Sequence, residues 1–192
     1  MRRLILPVMT ACLIFMALPV QMCFAAEEAG KGPGKILVAY FSHTGNTREI
    51  AGQIQKITGG DLFEIRTVKP YPEDYDTVVE QARKELDSGS RPELKTKVEN
   101  IGQYDVIFIG YPNWWSTFPA PVRVFLTDND FTGKTIVPFC THGGGGLGKS
   151  VTHISEFCPD STLLDAFSIP GTQVKNAEDK VAEWLRTIGI MQ

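Results

Sequence analysis

The sequence predicts an α/β fold, a doubly wound parallel sheet of five strands with helices on both faces. Three short apolar runs carry much of that reading: residues 35–41 (KILVAYF), 104–110 (YDVIFIG) and 134–141 (KTIVPFCT). Each lacks the polar alternation of a half-exposed strand, as expected of strands covered on both faces. Each is followed by a stretch with apolar residues at helical spacing. Strand and helix signals alternate five times between residues 35 and 188. That alternation implies parallel neighbours joined by right-handed crossovers.

The elements follow in order. After the first strand, residues 47–57 place Ile50, Ile54 and Ile57 on one helical stripe, and Gly59-Gly60 stops the helix. Residues 61–68 read as the second strand. Residues 75–86 form a helix with Tyr75, Val78, Val79, Ala82 and Leu86 inward, and residues 87–100 are a polar connection. The third strand leads to a short helix at 119–126, whose prolines fall in the first turn, where they are tolerated. The fourth strand precedes a helix at 148–157, and 161–169 is the fifth strand. A closing helix at 176–188 turns Ala177, Val181, Trp184, Leu185 and Ile188 inward.

The first 25 residues stand apart. Arg2 and Arg3 precede an apolar stretch at 4–20, and small residues follow before Glu27 and Glu28. This is the anatomy of a secretory signal with cleavage after Ala25, followed by a linker at 26–34 and one domain at 35–192. An uncleaved membrane anchor is the alternative, because the apolar run is near the lower length for a span. The expected location is periplasmic or extracellular, with no stable membrane insertion once the signal is removed. The whole chain has 192 residues and net charge −3; cleavage leaves 17 basic against 22 acidic residues, a net of −5. That balance excludes broad nucleic-acid binding.

Cleavage also leaves two cysteines, Cys140 and Cys158. One belongs near the top of a strand and the other at the far end of the helix returning from it. Ten helical residues span about 15 Å, whereas a disulfide needs Cα atoms within about 7 Å. Two free buried thiols are expected. No metal site is expected, since no C-x-x-C occurs and His43, His142 and His153 are scattered.

In such sheets, ligands sit beyond the carboxyl ends of the strands, where the winding reverses. After the first strand comes Ser42-His43-Thr44-Gly45-Asn46-Thr47 and then a helix. Backbone N–H groups, three hydroxyls and a helix N-terminus make an anion site. No lysine follows the glycine, so this is not a Lys-dependent nucleotide loop. A second motif, GGGGLGKS at 143–150, does fit G-x-x-x-x-G-K-[ST] between a strand and a helix. Only 42 residues follow it, too few for the rest of a P-loop core, so nucleotide hydrolysis is the weaker reading.

The segment YFSHTGNT resembles the [ST]-x-T-G-x-T phosphate loop of flavodoxins, and the likeness extends through YPEDY (71–75), GYPNWW (110–115) and PFCTHGGGGLG (138–148). It is particularly similar to the exported branch of that family. The resemblance implies strand order 2-1-3-4-5, three α/β/α layers and FMN as cofactor. It places the FMN phosphate on Ser42, His43, Thr44, Gly45, Asn46 and Thr47. It places the flavin ring against Pro112, Asn113, Trp114 and Trp115 on one side and Thr141, His142, Gly143, Gly144 and Gly145 on the other. One tryptophan is expected to stack while the other packs inward. The loop after the fourth strand carries no aromatic residue, which leaves a flavin face open. His142 is a candidate proton donor, or else a residue that holds loop backbone. His43 either supports the phosphate or is solvated, and His153 is expected at the surface.

Two functions remain open at this stage, with a passive flavin carrier as a third. Electron transfer through bound FMN would need a redox partner protein or small acceptor and no acid–base residue. An FMN-dependent reductase of quinones or similar acceptors would use the open face, with His142 as catalytic residue.

Overall fold

A computed structural model describes residues 34–191, so the expected signal peptide and nearly all of the linker lie outside the described residues. Among the described residues no helix is long and apolar enough to cross a membrane.

The strands are β1 (Ile36–Tyr40), β2 (Asp61–Glu64), β3 (Val106–Pro112), β4 (Thr135–His142), β5 (Thr162–Leu163) and β6 (Phe167–Pro170). All pair in parallel in the order β2-β1-β3-β4, and β5 and β6 share the position beyond β4. The helices are α1 (Asn46–Thr58), α2 (Tyr75–Ser88), α3 (Ala120–Asp128), α4 (Ser150–Phe157) and α5 (Glu178–Thr187). The order expected from the resemblance holds, and so does the layering.

The two faces of β1 explain the layers. Leu37, Ala39 and Phe41 enter a core with Val122, Phe125 and Leu126 of α3 and Ile154 of α4. Ile36, Val38 and Tyr40 enter the opposite core with Ile50, Ala51 and Ile54 of α1 and Val181 and Leu185 of α5. Ile50 and Ile54 are fully buried. Burying a side chain of this size is worth about 1.5–3 kcal/mol. The 3.6-residue spacing of that stripe therefore fixes which side of α1 meets the sheet.

Three expectations are corrected. The second strand stops at Glu64, because Ile65 makes the last ladder bond to the Tyr40 carbonyl and Thr67 pairs antiparallel with Leu94 instead. The fifth strand breaks in two, because the chain leaves the sheet after Leu163 and returns at Phe167. In the gap, the Asp165 carbonyl accepts from Trp184 Nε1 at 2.9 Å. Tyr75 and Leu86 are not inward: they are 75% and 36% exposed on α2. The edge helix α2 buries only Val78 and Ala82.

Cys140 and Cys158 are free and buried, as the helix geometry implied. Burial pushes the Cys140 thiol up to about 12 and the Cys158 thiol up to about 11. In the unfolded chain both ionise near pH 8.5. A raised folded value favours the neutral thiol, so this contribution is complete below about pH 8.5 and is lost as pH rises toward 11–12. Urea unfolding between pH 8 and 11 should show falling stability, with a shallower slope in Cys140→Ala. Alkylation mapping at pH 8 should label neither thiol until urea is added.

Gly110 faces Phe139 across the β3–β4 register, and a Cβ there would lie 2.1 Å from the Phe139 ring. Gly110→Ala should cost about 1–3 kcal/mol in urea melts. Adding Phe139→Leu should recover part of that loss.

Candidate functional site

The loops after β1, β3 and β4 meet at the carboxyl edge of the sheet around a cleft of about 730 Å³. From the first loop His43, Thr44 and Asn46 line it. Gly45 takes φ 92°, a left-handed turn that feeds the chain into α1. Ser42 Oγ accepts from the Arg48 N–H at 3.3 Å, and the Gly45 carbonyl accepts from Glu49 N–H at 3.0 Å. The N–H groups of Asn46 and Thr47, ahead of these, have no partner within the helix. The α1 dipole adds positive potential at the same place. Among the described residues, no Lys, Arg, Asp or Glu lines the cleft. An anion there is met by backbone N–H groups and neutral polar side chains.

Ser42, Gly45 and Thr47 do not line the cleft. Thr47 is 1% exposed, and its hydroxyl shares a 2.9 Å hydrogen bond with the Thr141 hydroxyl. It joins α1 to the end of β4. His43 is not solvated: its Nε2 lies 2.8 Å from the Pro72 carbonyl, and its ring meets Trp114 edge-on at 5.7 Å.

Pro112, Asn113, Trp114 and Trp115 all line the cleft. Trp114 and Thr117 exchange both backbone hydrogen bonds, at 2.9 and 3.0 Å. Trp115 and Ser116 between them have φ 52° and 62°. Positive φ at both central residues is the type I′ turn, normally made by Gly and Asn. Each such residue costs on the order of 1–3 kcal/mol unless its surroundings hold it. They do: the Ser116 carbonyl accepts from Lys149 N–H at 2.7 Å, and Trp115 Nε1 donates to the Val79 carbonyl at 3.1 Å. The Arg83 guanidinium lies 5.0 Å from the Trp115 ring centre. The two tryptophans differ in their settings. Trp115 is 44% exposed at the cleft, whereas Trp114 packs edge-on against Phe41 and Tyr71 at 5.7 and 5.1 Å. Behind them Tyr71 donates to Glu85 at 2.5 Å, and burial followed by that bond holds its phenol well above the usual range.

From the β4 loop, Thr141, His142 and Gly143 line the cleft, while Gly144 and Gly145 do not. His142 Nδ1 accepts from the Gly144 N–H at 3.0 Å, which leaves the proton of a neutral ring on Nε2. Asn113 Nδ2 donates to the Gly146 carbonyl at 2.6 Å, and Asn113 N–H donates to the Thr141 carbonyl at 2.8 Å. These bonds tie the β3 and β4 loops together. The GGGGLGKS segment is not a nucleotide loop. Its Ser150 hydroxyl is fully buried, accepting from Tyr111 Oη at 2.9 Å and donating to the Leu147 carbonyl at 2.6 Å.

Two walls escaped the sequence reading. Tyr75, Val78, Val79 and Ala82 of α2 form one, and Pro170, Gly171 and Thr172 after β6 form the other. A Cβ on Gly171 would lie 2.4 Å from Asn46 Nδ2, so the Asn46 amide rests on bare backbone. The Pro-Gly pair closing β6 is the sequence signal for this wall. His153 is half-buried, not a surface residue: its Nδ1 is 2.8 Å from Thr117 Oγ1.

A family model described as Flavodoxin matches residues 35–188. The chain belongs to the flavodoxin family. A flavodoxin from Haemophilus influenzae is 29% identical over 128 residues, covering 62% of this chain and 53% of that one. The chain thus spans about half the length of that curated relative. A candidate flavoprotein from Bacteroides eggerthii has a crystal structure with 36% identity and TM-score 0.73, covering 82% of this chain and 99% of that one. A Lactobacillus acidophilus flavoprotein in complex with FMN has TM-score 0.62 at 21% identity, covering 78% of this chain and 99% of that one. At that identity the likeness is one of fold. The flavodoxin order β2-β1-β3-β4 puts the α1 N-terminus at the reversal of winding, where the cleft lies.

The buried Thr47–Thr141 bond gives a stability test. Thr47→Val should cost about 1–3 kcal/mol, because it strands the Thr141 hydroxyl, itself 3% exposed. The double variant with Thr141→Val should cost less than the sum of the two single losses. Urea melts of all four proteins close this cycle.

Proposed function

We propose that the cleft binds FMN and that the protein transfers electrons through the bound flavin. The observation that carries this reading is a cleft with an uncharged anion cradle at one end and an aromatic wall at the other. The cradle comprises Thr44, Asn46 and the free N–H groups of α1, with Gly171 leaving room beside the Asn46 amide. Its donor set fits a phosphate: hydroxyl, amide and backbone N–H groups on a helix dipole. The cleft's 730 Å³ lies within the range that holds cofactors of this size. FMN, when bound, supplies one- and two-electron chemistry to the site.

The chain's own residues then have separable tasks. Thr44 and Asn46 hold the phosphate. Trp115 offers an aromatic face, its indole fixed by the Val79 carbonyl and by Arg83. Gly143 lets backbone approach a polar ring edge, and His142 lines the cleft with its Nδ1 taken by the Gly144 N–H.

A second reading, a reductase of quinones or similar small acceptors, is favoured by one observation. The β4 loop brings Thr141, His142 and Gly143 to the cleft, with no Phe, Tyr or Trp to cover a flavin from that side. Here His142 becomes the proton donor. Stopped-flow oxidation of the reduced holoprotein separates the readings. Fast reaction with small quinones supports the reductase, and reaction only with redox proteins supports the carrier. Export, with cleavage after Ala25, is also proposed from the sequence pattern. N-terminal sequencing of protein from the exported fraction checks it, with Ala26 expected first.

Binding distinguishes the phosphate contacts from the ring contacts. Thr44→Val and Asn46→Ala should each weaken FMN about 10- to 100-fold while leaving riboflavin, which lacks the phosphate, within about twofold. Equal losses for both ligands, or no FMN binding by the unaltered protein, would contradict the assignment.

A further inference from the structure

A smaller groove of about 220 Å³ runs between α2, the start of α3 and α4. Ala82 and Trp114 line both this groove and the main cleft. Leu86 on α2, Phe118 and Pro119 before α3, and Phe157 at the end of α4 supply its apolar surface. Leu86 and Phe157 line the groove while staying 36% and 40% exposed. The Phe118 ring lies 6.2 Å from the Phe157 ring, so the aromatic surface is continuous.

The polar side chains of the groove are already engaged or offset. His153 is held by Thr117 Oγ1 at 2.8 Å. Arg123 donates to the Ser90 carbonyl and, at 3.5 Å, to the Glu85 carbonyl. Glu156 also lines the groove, and Glu85 is the acid whose charge acts on Arg123. The groove's volume is below the roughly 300 Å³ at which pockets begin to enclose a whole drug-sized ligand. It suits one apolar part of a ligand whose other part lies in the larger cleft.

We propose that this groove is a subsite for the apolar side chain of an electron acceptor whose ring enters the main cleft beside Trp114. The proposal rests on the reductase reading and names its substrate class: a planar acceptor of the quinone type carrying a short aliphatic or prenyl chain. Each methylene moved from water into such a groove strengthens binding by about fourfold when fully buried. The groove is partly open, so a five-carbon chain should gain about tenfold or more.

The test uses the FMN-loaded full chain and two probes, 2-methyl-1,4-naphthoquinone and the same ring bearing a five-carbon prenyl chain at position 3. Equilibrium dialysis of the oxidised protein should show the prenylated probe binding about tenfold tighter. Leu86→Gln and Phe157→Ala, both at partly exposed positions, should remove that advantage and leave the parent probe's Kd unchanged. Equal affinities for the two probes, or an advantage that both variants retain, would overturn the subsite. Stopped-flow reduction of the same probes is read separately. If the binding pattern appears but neither probe is reduced, the reductase reading falls and the groove stands as a binding site. If the parent probe is reduced but the chain confers no advantage, the groove proposal falls alone.

Discussion

One buried hydrogen bond joins the parts of the site that chemistry requires to be together. Thr47 sits in the first turn of α1, and Thr141 sits near the end of β4, 94 residues later. Their hydroxyls meet at 2.9 Å with both side chains almost wholly shielded from water. The bond fixes the start of α1 against the sheet, and with it the direction of the helix's unpaired N–H groups. From Thr141 the constraint spreads. Its carbonyl takes the Asn113 N–H, and Asn113 in turn holds the Gly146 carbonyl. The three loops around the cleft are thus one hydrogen-bonded unit built on three strand ends.

That unit pays for a costly conformation. Trp115 and Ser116 occupy the left-handed region without being glycine, and neighbours on α2 and the β4 loop hold them there. The result is an aromatic side chain standing at the cleft with limited freedom to fold away. Trp114, one residue earlier, is fixed by the rings of Phe41, Tyr71 and His43. Adjacent residues of the same type therefore do different work, because the turn points one outward and one into the aromatic cluster.

The sequence made the central sheet readable because β1, β3 and β4 are covered on both faces and must be apolar throughout. Helices α1 and α5 were readable from the stripes Ile50–Ile54 and Val181–Leu185, which is why their inward faces were assigned correctly. Less was visible where local pattern and tertiary packing disagree. The run around Leu163, Leu164, Ala166 and Phe167 looks like one strand, and only the Trp184 contact shows that Asp165 interrupts it. Tyr75 keeps helical spacing with Val78 and Ala82, yet α2 lies at an edge where its first turn has nothing to pack against. The Thr47–Thr141 bond spans 94 residues, so no local pattern announces it. The walls from α2 and from Pro170, Gly171 and Thr172 needed the three-dimensional arrangement, although the Pro-Gly pair was in plain sight.

The central claim is that a phosphate sits at the start of α1, held by neutral donors and a helix dipole. The ³¹P resonance of FMN mixed with the protein tests it most directly. Free FMN titrates near pH 6, the usual second pKa of a phosphate ester. A distinct bound resonance should appear with a shift that stays constant between pH 5 and 8, because the donor-rich cradle favours the dianion and holds its pKa below that range. A bound phosphate that still titrates near pH 6, or no bound resonance at all, would contradict it.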